Sequence, residues 1–119
     1  MNTELGLFWV SRAEPLTLTA DVPTRLVDMF IHSIAVNLVT NPDAQDAGVF
    51  YNADTSKIVS GCVVTAVDEA QAVTIARSAF TAAIENAGGQ DDGDKHIAEW
   101  RTQLLQEKAR TNVVELAVA

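Results

Sequence analysis

The chain has 119 residues and a mass of 12.8 kDa, with 16 Asp and Glu against 8 Lys and Arg, so its formal net charge is -8. That length suits one domain, and 48% hydrophobic with 20% charged residues is the balance of a folded globular protein. The acid excess argues against a nucleic-acid binder and against docking on an anionic membrane, while a lone cysteine, Cys62, excludes an internal disulfide and a multi-cysteine zinc site.

Met1 to Val10 carries Glu4 where a signal peptide would carry basic residues, and no run approaches the roughly 20 apolar residues of a membrane span. The expected setting is a reducing one, cytoplasmic or in a virion, with no export by a signal peptide. Leu5 to Ser11 is β-prone and Leu16-Thr17-Leu18-Thr19 alternates with period two. With Arg12-Ala13-Glu14-Pro15 as the turn between them, the pattern predicts two short strands in a hairpin.

Asp21 or Thr24 is the expected cap of a first helix, with Pro23 at its start. Leu26, Val27, Phe30, Ile31, Ile34 and Leu38 follow at helical spacing, opposite Arg25, Asp28 and His32. Residues 33–39 also alternate like a strand and are rich in β-branched side chains, but the longer period favours a helix to about residue 39, ended by Asn41-Pro42-Asp43. Ala47 to Asn52 and Lys57 to Val67 then predict an antiparallel hairpin across Ala53-Asp54-Thr55-Ser56, with Gly61 as a candidate bulge.

Asp68, with Gln71 three residues on, is a capping box for a second helix whose expected buried face is Val73, Ala76, Phe80, Ile84 and Ala87, stopped by Gly88-Gly89. After the acidic loop Gln90 to Asp94, a third helix is expected from about Lys95 to Arg110, placing Ile97, Trp100, Leu104 and Leu105 toward the core or a partner. Asn112 to Val118 reads as a closing strand or a docking tail. The resulting fold class is α+β: a mostly antiparallel sheet of four to five strands, two to three helices packed on it, and a helix–strand–strand–helix centre of the ferredoxin-like kind.

Chemistry-bearing constellations are sparse. His32 lies four residues after Asp28, which suits a solvated i,i+4 pair better than a base or metal ligand without convergent partners. His96 beside Asp91, Asp92 and Asp94 is a weak metal suggestion, but a calcium-loop register starting at Asp91 places Gly93 at position 3 and Thr102 at position 12, so it fails. Cys62 has no base or cation beside it in sequence and is expected to be a buried, inert thiol. There is no nucleophile elbow, P-loop or dinucleotide fingerprint. No catalytic, cofactor or metal residue is therefore assigned, and the chain is expected not to be an enzyme.

The informative feature is the run of adjacent apolar residues on predicted strands. Phe8-Trp9, Phe50-Tyr51 and Val63-Val64 each send consecutive side chains to opposite faces of a sheet. Either the chain covers both faces or a partner covers one. Phe8, Trp9, Phe50, Tyr51 and Trp100 are the interface candidates on this reading. The expected function is that of a non-enzymatic structural or assembly protein that associates with copies of itself or another protein. Eighteen alanines against three lysines suggest a GC-rich genome, such as an actinobacterium or its phage, and hence a virion head or tail accessory subunit. Two alternatives stand beside it: an acidic inhibitor or immunity-type protein steered to a basic partner, and a small ligand-binding or enzymatic domain using His32 or Tyr51.

Overall fold

The computed structural model describes residues 5–18, 24–87, 95–106 and 110–118. Its first element, β1 (Gly6–Pro15), is one unbroken ten-residue strand. The hairpin expected at Arg12–Pro15 is absent because Arg12 and Glu14, two apart and so on one face, form an ion pair and are both buried. Leu16 is fully buried just beyond the strand, and its N–H donates to the Ser56 carbonyl at 2.9 Å, carrying the ladder one step further.

The other elements follow as α1 (Thr24–Val39), β2 (Gln45–Asn52), β3 (Lys57–Ala66), α2 (Glu69–Glu85), α3 (Lys95–Leu105) and β4 (Arg110–Val118). The four strands lie in the order β2-β3-β1-β4 with every neighbouring pair antiparallel. This is an α+β fold, and its β–α–β–β–α–α–β sequence of elements is the ferredoxin-like unit with one helix added.

Helix α1 settles the conflict over residues 33–39. Val27, Phe30, Ile34 and Leu38 recur at helical spacing and are buried together, an apolar stripe that outweighs the β-branched preference of Val36 and Val39, both exposed. The helix ends where Thr40 returns its N–H and hydroxyl to the Val36 carbonyl and Asn41 Oδ1 accepts from the Asp43 N–H at 2.9 Å. Asp21 and Pro23, expected at its start, lie outside the described residues. Helix α2 is capped as its sequence requires: Asp68 Oδ1 accepts from Gln71 N–H at 2.8 Å, and Gln71 Oε1 accepts from Val67 N–H at 2.8 Å. Its buried face is Ala72, Ala76, Ala79, Phe80, Ala83 and Ile84, with Ala72 rather than Val73 turned fully inward. So many alanines let α2 approach its neighbours closely, and Asn37 on α1 donates from Nδ2 to the Ala83 carbonyl at 3.0 Å. Gly88-Gly89 and the acidic loop lie outside the described residues.

Helix α3 is shorter than expected, because Arg110 already pairs with Ala13 as the first residue of β4. It is held through buried Ile97, Trp100 and Leu104, and the Trp100 ring meets Phe30 of α1 at 5.3 Å between centroids. The shortest dimension of the molecule is 21 Å, which is one layer of helices about 10–12 Å thick on one sheet layer.

Candidate functional site: the open face of the sheet

Alternation along the strands divides the sheet cleanly. Phe8, Val10, Arg12 and Glu14 of β1 and Ile58, Ser60, Cys62, Val64 and Ala66 of β3 are buried on one face. The hydrophobic ones among them join the helix residues in a single core, with Val49, Tyr51 and Val113 packed against it. Every helix therefore covers this face. The in-between residues Leu7, Trp9, Ser11 and Ala13 of β1 and Val59, Val63 and Thr65 of β3 are only half-buried, and none belongs to the core or packs on it.

Register places the rest of that second face. Phe50 stands beside Val59, Gly48 beside Gly61, Val114 beside Trp9 and Asn112 beside Ser11. Phe50 is 57% exposed and Val114 54%. None of the twelve positions Leu7, Trp9, Ser11, Ala13, Gly48, Phe50, Val59, Gly61, Val63, Thr65, Asn112 and Val114 is charged, in a chain with 20% charged residues; the charged register positions of this face, Lys57 beside Pro15 and Arg110 beside Ala13, stand together at one end of it. Depletion of charge at the centre of an apolar surface is the compositional mark of an interface core.

Gly61 does not form a bulge. Its pairing with Ser11 and Gly48 is in step, and the extra residue lies in β2 between Gln45 and Gly48, where Asp46 takes a left-handed φ of 48°. Glycine stands at 61 because the Trp9 ring lies down across it: a methyl group there would overlap Cζ2 and Cη2 of the indole. Gly61→Val is expected to lift that ring from the strand and cost about 1–3 kcal/mol of stability. The Trp9 indole N–H resonance should move in that variant, while that of buried Trp100 stays in place.

Of the interface candidates, Trp9 and Phe50 lie on the open face. Phe8 (3% exposed) and Trp100 (2%) are instead core residues: the Phe8 position points at α2, and the Trp100 position falls on the buried stripe of α3. Tyr51 is half-buried against the core. His32 is exposed on α1, one turn from exposed Asp28. His96 stacks on Trp100 with centroids 6.0 Å apart, and its acidic neighbours Asp91, Asp92 and Asp94 lie outside the described residues. No three His, Cys, Asp or Glu side chains gather among the described residues, and no described helix is long and apolar enough to cross a membrane.

Cys62 faces the core, and burial pushes its thiol up from near 9 to about 11. The unfolded chain therefore loses this proton first as pH rises. Below about pH 9 the thiol contributes nothing to the pH dependence; between 9 and about 11 it lowers stability, because the unfolded state binds fewer protons. Urea midpoints measured across that range should fall more steeply for the native chain than for Cys62→Ala.

No protein-family model matches the chain, and no curated protein matches it. Among solved structures, it is similar to Rv0793 from Mycobacterium tuberculosis, with 13% identity over 91% of each chain and a TM-score of 0.41. It is also similar to a conserved protein from Methanosarcina mazei Go1, with 12% identity over 92% of this chain and 91% of the other, and a TM-score of 0.42.

Proposed function

We propose that this protein works by association rather than catalysis, and that the open face of its sheet is where a second copy docks. The observation that supports this most directly is the sheet surface left uncovered by the helices, whose centre around Trp9, Val63, Val59 and Phe50 carries no charge. Its size suits the role. Four strands about 4.8 Å apart and about 30 Å long cover roughly 580 Å², near the lower end of the roughly 600–1,000 Å² that each partner commits to a standard interface. A face whose centre carries no carboxylate is also where two copies of a chain with net charge -8 can meet with little repulsion.

The acidic-inhibitor alternative draws less support. Among the described residues, exposed carboxylates stand on α1 (Asp28), the α1–β2 connection (Asp43), β2 (Asp46), the β2–β3 turn (Asp54), α2 (Glu85) and α3 (Glu99), and Asp68, Glu69 and Glu115 line one hollow. A building block of a larger assembly, of which a virion accessory subunit is one setting, is the reading we adopt. Light scattering coupled to size exclusion tests it: the expected mass is twice 12.8 kDa or a higher multiple, and a monomer persisting at millimolar concentration would refute it.

A further inference from the structure

Gly48 follows the bulge in β2, but the left-handed residue of that bulge is Asp46, so the bulge does not require glycine at 48. The φ of Gly48 lies outside the left-handed region, and a methyl group built on it meets nothing within 4 Å. Glycine inside a strand gives up conformational entropy and packing surface. Gly61 across the ladder is explained by the Trp9 ring lying over it, and Gly48 is not. A strand glycine marks a bulge, a bend or a place where another surface comes close, and with Asp46 taking the bulge's left-handed conformation the last of these is the one we pursue. Two positions along the same strand and on the same face stands Phe50, the most exposed aromatic described in the molecule.

We infer that Gly48 is the socket for Phe50 of a second copy. This rests on the association reading above and specifies how the two copies engage. In an interface with two-fold symmetry, if residue i of one copy meets residue j of the other, then j also meets i. Gly48 and Phe50 are about 6.8 Å apart along β2. A two-fold axis crossing β2 at the level of Val49 carries each ring over the other copy's glycine, so one axis fills both sockets. The half-buried Trp9 ring lies over Gly61, the cross-strand neighbour of Gly48, and so stands on the same face one strand further in.

An exchange experiment on the full chain tests this, with sedimentation equilibrium reading association and far-UV circular dichroism with thermal melting reading the fold. Gly48→Phe is expected to leave the isolated fold intact, since the space is open, and to weaken association about 100-fold or more by closing the socket. Phe50→Gly should weaken it about 10- to 100-fold by removing the ring. The double variant Gly48→Phe with Phe50→Gly should recover association to within about tenfold of the native chain, because the symmetric pairing survives the swap. Where Gly48→Phe lowers the melting temperature, Gly48→Val serves as the milder block. If the native chain does not associate, the association reading itself falls. If the native chain associates and the Gly48 variants associate equally well, or the exchange fails to restore what the single changes remove, the face stands and the socket is overturned.

Discussion

If two copies dock through the open face as proposed, Val63→Lys is expected to yield a folded monomer. Val63 sits on the central strand β3, opposite Trp9 of β1, with its side chain on the open face. In an isolated chain a lysine there extends into water and costs little. In a symmetric pair the substitution occurs twice, and each ammonium must be taken out of water against an apolar surface with no carboxylate to meet it. At about 2 kcal/mol or more for each unpaired buried charge, the pair loses roughly 4 kcal/mol, which weakens association about 1,000-fold. Lysine also makes the chain less negative, so added repulsion between acidic chains cannot account for the loss. Light scattering should read the monomer mass with an unchanged far-UV spectrum. Native association in this variant would remove the open face from consideration.

The sequence foreshadowed this face through geometry rather than motif. Because strand residues alternate, Phe8-Trp9 and Val63-Val64 had to send one member each way, and Phe8 and Val64 took the core while Trp9 and Val63 took the opposite side. Local chemistry also fixed the Asp68–Gln71 cap and the β2–β3 hairpin, whose turn is held by Asn52 Oδ1 accepting from the Asp54 and Thr55 N–H groups. Where local reading failed, a distant partner was responsible. Arg12-Ala13-Glu14-Pro15 has the composition of a turn, and it becomes strand because β3 and β4 flank it and the two charges can pair with each other. One cue was present: opposite charges two residues apart share a strand face. Trp100 could not be assigned between core and interface until Phe30, seventy positions earlier, was known to lie against it. Gly48 left no trace: it lies inside the predicted Ala47–Asn52 strand, and its open surroundings become visible only once its neighbours on β3 are known.

Loss of Arg12 is expected to weaken the fold severely. Arg12 is 2% exposed on the helix-covered face of β1, where its Nε faces Glu14 Oε1 as an ion pair without hydrogen-bond alignment, and Nη2 donates to the Leu104 carbonyl at 3.1 Å. Nη1 has no acceptor among the described residues. The bond to Leu104 satisfies a carbonyl at the end of α3 and ties that helix to the sheet. Beside it, Gln103 holds the chain after β1 by accepting from the Thr17 N–H at 3.0 Å. Arg12→Ala removes the bond to Leu104 and takes the Arg12 cation away from the Glu14 carboxylate, which is only 6% exposed. Breaking a buried pair from one side costs about 3–5 kcal/mol, a large share of the ~5–15 kcal/mol that stabilises a typical domain. Urea unfolding should show the midpoint collapse. Replacing both partners, Arg12→Met with Glu14→Leu, should return the midpoint to the native value or above it, because neither charge is then buried. If the double variant remains as unstable as Arg12→Ala, the tie to Leu104 matters more than the charge balance. If it recovers stability and still associates, the pair serves the core alone and the open face works independently of it.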